Sequence, residues 1–348
     1  KALANLKSLK YLILIDNNLK IDSDCEIFGL ANLDNLYLSL SNKNLLIKRE
    51  IKLNETTFEK MNNLKVLSLS GNQIKLEGNC FQHLTQLKNL NLYRTTFSMD
   101  NNDFFSSLKQ LEKLRLSRKG ASDSLQLYRL SELVNLKDLR IDITERDLEQ
   151  FREMLRIKRR RTGEEVEPPN PNPTADDLCY FILADMTKLT HLYLTNCHLT
   201  YINKPILSKM KNLSTLSLEN NNIRYIPDDT FDCLSKLEEI NLKRNPLVHI
   251  KLNRLFLKCD KLKIVSFDNA PVVDLMDKQF NFKSIKKINC QSLVHLEKYY
   301  QSRRFQKNQK KKANASRRVF LQRNQIKNAN SSALKAELEN IEVMFQKI

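Results

Sequence analysis

Tryptophan is absent from this chain and glycine is scarce, with 5 in 348 residues. So few glycines cannot build a phosphate-cradling loop, and neither GxSxG nor HExxH occurs. His83, His191, His198, His249 and His295 are scattered, and no Cys/His cluster has metal-ligand spacing. No apolar run approaches the roughly 18 residues that a membrane-spanning helix needs. No basic, apolar, small-residue leader opens the chain either. The seven cysteines (Cys25, Cys80, Cys179, Cys197, Cys233, Cys259 and Cys290) lie far apart without a CxxC pair. That spacing excludes a dense disulfide framework, and they read as small buried hydrophobes. These absences point away from an enzyme, a metal site or a cofactor, and leave surfaces to carry the function.

Charge is what the chain has in excess, and it is unevenly placed. The formal net charge is +18, yet residues 278–348 hold 17 Lys/Arg against 4 Asp/Glu. The tail is therefore strongly basic, while the rest of the chain is nearly balanced. Hydrophobic residues make up 41% of the sequence, enough for a core in one large or two ordinary domains.

A repeat organises that core. Residues 213–226 read LSTLSLENNNIRYI and residues 237–250 read LEEINLKRNPLVHI. Counting from the first leucine, aliphatics stand at offsets 0, 3, 5 and 10 and asparagine at offset 8. The pattern recurs from Leu9, Leu33, Leu64, Leu87, Leu111, Leu136, Leu189, Leu213, Leu237 and Leu262, with a degenerate copy from Ile285. Most intervals are 23–25 residues. Side chains alternate along a strand, so offsets 3 and 5 share one face. A single such strand cannot bury its leucines, but parallel stacking of the coils makes a continuous interior. At offset 8 the chain turns away and leaves backbone N–H and C=O groups that must find partners. An Asn amide donates and accepts, so a column of amides satisfies them coil after coil. That column reads Asn17, Ser41, Asn72, Thr95, Lys119, Thr144, Cys197, Asn221, Asn245 and Ala270, with irregularity expected at Lys119 and Ala270. Cys197 beside His198 looks like a nucleophile next to a base, but its column position makes it a substitute for asparagine.

The skeleton L-x-x-L-x-L-x-x-N/C-x-L at a period of roughly 20–29 residues resembles the leucine-rich repeat. The rest of each unit, as in IPDDTFDCLSKL (226–237) with Phe231 and Leu234, TTFEKMNNL (56–64) and NCFQHLTQL (79–87), resembles the typical subfamily of Toll-like receptors and other extracellular proteins. The resemblance implies an α/β solenoid, a horseshoe whose concave parallel sheet has about ten to eleven strands, spanning residues 1–292. It implies a non-enzymatic, receptor-like or innate-immune recognition scaffold, secreted or on the extracellular side of a membrane. The alternative compartment is the cytoplasm, because the cysteine-rich caps usual in extracellular members are missing. Lys1 already falls inside a repeat, so a fragment or processed edge is expected there. A solenoid followed by a heptad-bearing tail is also similar in layout to the mosquito leucine-rich-repeat immune proteins.

Two segments break the repeat. In residues 145–185 the spacing predicts a helix over 144–161, with Thr144 as N-cap, Asp147 three residues on, and Leu148, Phe151 and Leu155 on one face. An exposed acidic, proline-rich loop (162–177) and a short helix (174–186) should follow. The basic run Arg156, Lys158, Arg159, Arg160 and Arg161 reads as a nuclear-import patch, a convertase cleavage site or a solvated charge run. Endosomal Toll-like receptors also carry a long, processed loop within their repeats, and the insertion is similar to it in position. The second segment, residues 293–348, reads as a basic helical tail. Leu334, Leu338, Ile341, Phe345 and Ile348 within 331–348 follow heptad spacing, as at the start of a coiled coil, in a helix docked on the solenoid, or in a disordered end. The coiled coil would imply self-association or a helical partner.

The working surface is expected on the concave residues at offsets 2, 4, 6 and 7. Most are small or polar, but the centre collects Tyr93, Arg94, Lys113, Arg115, Arg118 and Arg140, extended by His191 and Tyr193. Arg115 is expected beside Arg140, and Arg94 beside Arg118, with neighbouring strands about 4.8 Å apart. Such a patch is either neutralised by Asp138 and Asp142 or awaits a protein partner with an acidic surface. Sequons occur at Asn54, Asn212, Asn314 and Asn330, as candidate glycosylation sites in an Asn-rich chain. The less favoured alternative is nucleic-acid or anionic-surface binding through the basic tail, with Tyr299, Tyr300 and Phe305 available to stack.

Overall fold

A computed structural model describes residues 6–17, 25–40, 50–100, 105–118, 127–162, 172–247, 250–267, 272–273, 287–289 and 318–320. They belong to two compact units, residues 1–197 and residues 198–348. The first unit holds β1 (Tyr11–Asn17), β2 (Asn35–Leu40), β3 (Glu50–Leu53), β4 (Val66–Ser68), β5 (Gln73–Glu77), β6 (Asn89–Asp100), β7 (Lys113–Arg118), β8 (Asp138–Ile141) and β9 (His191–Leu194). Strands β1, β2, β4, β6, β7, β8 and β9 pair in that order, all parallel. Strands β3 and β5 and the far half of β6 form a second short parallel sheet.

The second unit holds β10 (Thr215–Ser217), β11 (Glu239–Asn241), β12 (Ile250–Lys251), β13 (Ile264–Ser266), β14 (Val272–Val273), β15 (Lys287–Asn289) and β16 (Arg318–Phe320). Here β10, β11, β13, β15 and β16 form the parallel ladder, while β12 pairs with β14. Each unit is a stretch of α/β solenoid in which every repeat found in the sequence supplies one ladder strand. The degenerate copy at Ile285 is among them, as β15.

Alternation along the strands sets the interior. Leu216, Leu218, Ile240 and Leu242 are all buried, as are Leu67, Leu90, Leu114 and Leu139 at the equivalent offset in the first unit. Six residues before the first leucine of five of the ten coils, a phenylalanine closes the other side: Phe58, Phe81, Phe105, Phe231 and Phe256 are buried. Phe58 and Phe81 lie 5.9 Å apart, and Phe231 stacks on Phe256 at 5.5 Å. Burial of each such side chain is worth roughly 1.5–3 kcal/mol, and consecutive rings share their contacts.

The turn at offset 8 works as its chemistry requires. Asn72 donates from Nδ2 to the carbonyls of Leu38 (2.9 Å) and Leu69 (2.8 Å). Asn221 accepts from Leu199 N–H through Oδ1 (3.1 Å) and donates to Leu218 O (2.9 Å). Asn245 repeats the arrangement with Ile223 N–H at 3.1 Å and Leu218 O at 2.8 Å. Thr95 donates to Leu69 O at 3.3 Å, and the buried Cys197 thiol points its proton at Ile141 O at 3.6 Å. Burial and this bond make Cys197 a member of the column. The residue before the column is often left-handed, as at Gly71, Arg94, Asn196, Asn220 and Arg244. The chain must fold back sharply there, and for non-glycine residues that conformation costs energy. Lys119 and Ala270, where irregularity is expected, lie outside the described residues.

Where the repeat breaks, the first unit inserts α1 (Glu145–Thr162) and α2 (Ala175–Leu183). The Asp147 carboxylate accepts from Thr144 N–H (2.8 Å) and Thr144 Oγ1 (2.7 Å), opening α1. Thr174 and Asp177 form a reciprocal capping box on α2. Phe151 of α1 meets Phe181 of α2 at 5.5 Å, while Leu148, Phe151 and Leu155 are buried. The run 156–161 forms the last turns of α1. Residues 163–171 of the proline-rich loop lie outside the described residues.

The tail differs from the expectation where it is described. Arg318–Phe320 is a strand rather than helix, with Val319 in register with Ile288. The surrounding sequence explains why: counted from Ser316, Val319, Leu321, Asn324 and Ile326 stand at the repeat's offsets 3, 5, 8 and 10. The heptad-spaced stretch 331–348 lies outside the described residues.

Acidic residues stand between basic ones at offset 1, where each ladder strand begins: Asp34 between Lys10 and Lys65, and Glu112 between Lys88 and Lys137. Glu112 Oε2 accepts from Lys137 Nζ at 2.8 Å, and its Oε1 lies 3.6 Å from Lys88 Nζ. The Lys137 hydrogen bond, aided by both positive charges, holds the Glu112 carboxyl below its ordinary range. A depressed carboxylate stabilises the fold above its unfolded pKa of about 4.3 and loses that contribution as pH falls through the folded value. For an exposed bridge the effect is roughly 0.2–1 kcal/mol. The urea midpoint of Glu112→Gln should therefore lie below wild type at pH 7 and converge with it near pH 3. Asn72→Ala should cost about 2 kcal/mol at every pH, because two buried carbonyls lose their donor.

Candidate functional site

The aliphatic alternation that buries Leu114, Leu139 and Leu192 turns the intervening side chains to the open face of the first unit's sheet. Two rows result. Lys113, Asp138 and His191 are in register across β7, β8 and β9. Beside them, Arg115, Arg140 and Tyr193 form the second row, preceded on β6 by Asn91. Five of the eight residues expected on this face are thus brought into one patch.

The patch is partly self-organised. The Arg140 guanidinium lies over the Tyr193 ring, 4.0 Å from its centroid, a cation–π contact that keeps the charge while fixing the side chain. Arg115 Nη2 stands 4.0 Å from Asp138 Oδ2, at the outer limit of an ion pair, with Arg115 49% exposed and Asp138 14%. Asp138 Oδ1 and Arg140 Nε are shielded from solvent and make no hydrogen bond among the described residues. Asp142 Oδ2 accepts from Ser117 Oγ at 3.5 Å, and His191 Nδ1 lies 2.8 Å from Thr190 Oγ1. Asp138 therefore offsets Arg115 in part, while neither Lys113 nor Arg140 has a carboxylate within ion-pair distance among the described residues. The face keeps a positive surplus.

Arg94 and Arg118 are not side by side as expected. Arg94 adopts φ 54°, and the ladder shifts there so that Thr95, not Arg94, faces Arg118. The left-handed turn that precedes the amide column makes Arg94 a bulge within β6, out of register with β7. Tyr93, one residue earlier, stays on the face and is 42% exposed. Sequence reasoning missed a second feature on the same face. On β1, Tyr11, Ile13 and Ile15 are 65%, 61% and 52% exposed, at offsets 2, 4 and 6 of the first coil. The rule that located Arg115 and Arg140 applies equally to them, and reading only for charge passed over them.

Of the sequons, Asn212 lies in an exposed turn, its Oδ1 accepting from Lys236 Nζ at 2.6 Å. Asn54 is half-buried, with Oδ1 accepting from the Thr56 N–H and from the Thr56 and Thr57 hydroxyls. Asn314 and Asn330 lie outside the described residues. No cluster of three or more His, Cys, Asp or Glu could hold a metal among the described residues, and no helix among them is long and apolar enough to cross a membrane.

No curated protein matches the chain. Residues 51–97 and 187–247 match the family model described as leucine rich repeat. Among solved structures, a leucine-rich-repeat protein of Leptospira interrogans is 22% identical, over 78% of this chain and 69% of that one, with a TM-score of 0.42. Toll of Drosophila, in the Toll–Spatzle complex, is 18% identical over 86% of this chain and 36% of its own, at 0.50. The Arabidopsis receptor kinase HAESA, in complex with the peptide hormone IDA and the co-receptor SERK1, is 19% identical over 83% and 39%, at 0.48. The chain thus spans well under half of the Toll and HAESA chains, and at these identities the likeness concerns the fold.

The left-handed turn at Arg94 carries a consequence for stability. Arg94→Asn should be close to neutral, whereas Arg94→Val should lower the unfolding free energy read by urea titration by about 1 kcal/mol, since a β-branched residue tolerates φ 54° poorly.

Proposed function

The protein is a leucine-rich repeat protein, and we propose that it acts as a recognition scaffold without chemistry of its own, binding the acidic surface of a protein partner on the open face around Arg115 and Arg140. The observation that carries this reading is the positive surplus of that face: Lys113 and Arg140 lack carboxylate partners among the described residues and Arg115 has one distant one. Like charges on neighbouring strands repel, so an acidic ligand relieves a cost already present in the free protein. Tyr193 and His191 add rigid amphipathic area of the kind that anchors protein interfaces. An extracellular, receptor-like or innate-immune setting is proposed from the repeat length and the phenylalanine on the far side of five coils. Glycosylation at the exposed Asn212 belongs to that setting.

The basic tail supports a second reading, since 17 Lys/Arg against 4 Asp/Glu between residues 278 and 348 would draw any polyanion. The two separate in one titration. A fluorescent oligopeptide of ten glutamates should bind the full chain at low salt. Arg115→Glu with Arg140→Glu should weaken it at least about tenfold, equal to 1.4 kcal/mol. Lys310→Glu, Lys311→Glu and Lys312→Glu together should leave most of the affinity in place. The reverse order of effects would assign anion binding to the tail.

A further inference from the structure

The same open face carries two chemically different ends on one compact unit. At β1, Tyr11, Ile13 and Ile15 present an apolar row to solvent, and Tyr37 on β2 is in register with Ile13. At β7 and β8 stand Arg115 and Arg140. Between the ends the register runs Ile13, Tyr37, Ser68, Asn91, Arg115, one residue per strand. The middle is neutral and satisfies itself, with Asn91 Nδ2 donating to Ser68 Oγ at 3.2 Å. Four inter-strand steps of about 4.8 Å put the apolar row roughly 19 Å from Arg115.

Pairing at the edge of β1 would not hide the row, because side chains at these offsets stand on the face of the sheet rather than along its hydrogen-bonding edge. Three large apolar side chains in succession, all more than half exposed, are also more than the scattered single hydrophobics of an ordinary surface. Ser68 and Asn91 between the ends bring no charge to a ligand lying across the strands. The charge at one end selects what that ligand is.

We propose that the face recognises a bipartite protein segment, an apolar cluster that docks on Tyr11, Ile13 and Ile15 joined to an acidic cluster that docks on Arg115 and Arg140. This rests on the acidic-partner reading and adds the second anchor and the spacing. An extended chain covers about 3.3 Å per residue, so roughly six residues separate the two clusters. The acidic end sets the encounter rate, while the apolar end slows dissociation.

The test uses three synthetic peptides on the full chain, read by isothermal titration and stopped-flow. The first has three apolar residues, a six-residue Gly/Ser spacer and four acidic residues; the second shortens the spacer to two; the third is the acidic part alone. The bipartite peptide should bind at least tenfold tighter than the acidic part, and the short-spacer peptide should lose most of that gain. Ile13→Asp should abolish the gain through faster dissociation and leave the acidic peptide's affinity unchanged. An unchanged urea midpoint for Ile13→Asp confirms that the fold is intact. If the acidic peptide binds and the apolar residues add nothing, or if Ile13→Asp leaves the gain intact, the bipartite proposal is overturned while the acidic-partner reading stands. If the acidic peptide does not bind wild type at low salt, the underlying reading fails first.

Discussion

Every coil must reverse its direction at the end of its ladder strand without stranding a backbone donor or acceptor in the interior. The column of Asn72, Thr95, Cys197, Asn221 and Asn245 meets that demand by hydrogen-bonding within its own coil and to neighbouring coils. A sharp reversal also needs a left-handed residue, found at Gly71, Arg94, Asn196, Asn220 and Arg244 just before the column. Unpaired buried groups cost about 1–3 kcal/mol each, so the column is as necessary to stacking as the leucines are. Cysteine and threonine serve where one donor is enough. Asn221 and Asn245 stand where an N–H of the adjacent coil also needs an acceptor.

Because the interior claims offsets 0, 3, 5, 8 and 10, folding places few demands on offsets 2, 4 and 6. Those positions are where binding chemistry can differ from coil to coil. In the first unit they change from aromatic and aliphatic at β1 to mostly neutral at β4 and β6, then to charged at β7 and β8, where Lys113, Arg115 and Arg140 outnumber Asp138 and Asp142. Each strand contributes its own side chains, and lateral order across the sheet turns a sequence of coils into a surface with two ends. The cation–π contact of Arg140 with Tyr193 and the distant pairing of Arg115 with Asp138 hold charges in place without cancelling them.

The insertion obeys the same logic in another element. Where the repeat lapses, α1 and α2 take over the burial that a coil's outer turn performs elsewhere, through Leu148, Phe151 and Leu155 on α1 and Leu178 and Ile182 on α2. Capping by Asp147 and Asp177 starts each helix, and both signals were legible as threonine followed three residues later by aspartate. The tail holds two competing periodicities. Apolar residues near the end of the chain follow helical spacing, whereas Ser316 to Ile326 carries the repeat's own offsets and Arg318–Phe320 pairs as a strand. Both periodicities fit short apolar sets, and only pairing with β15 separates them.

The sequence by itself determined which residues enter the interior, where each coil turns and which side chains reach the open face. Those properties follow from alternation along a strand and from hydrogen-bond demand at a turn, and both act over a few residues. Tertiary structure alone decided how Asp138 divides itself between shielding and pairing, that Arg140 stacks on Tyr193 across the insertion, and that Arg94 bulges out of register with Arg118. Those outcomes depend on contacts between residues some 20 to 50 positions apart, whose geometry is set by register and packing between coils rather than by local pattern.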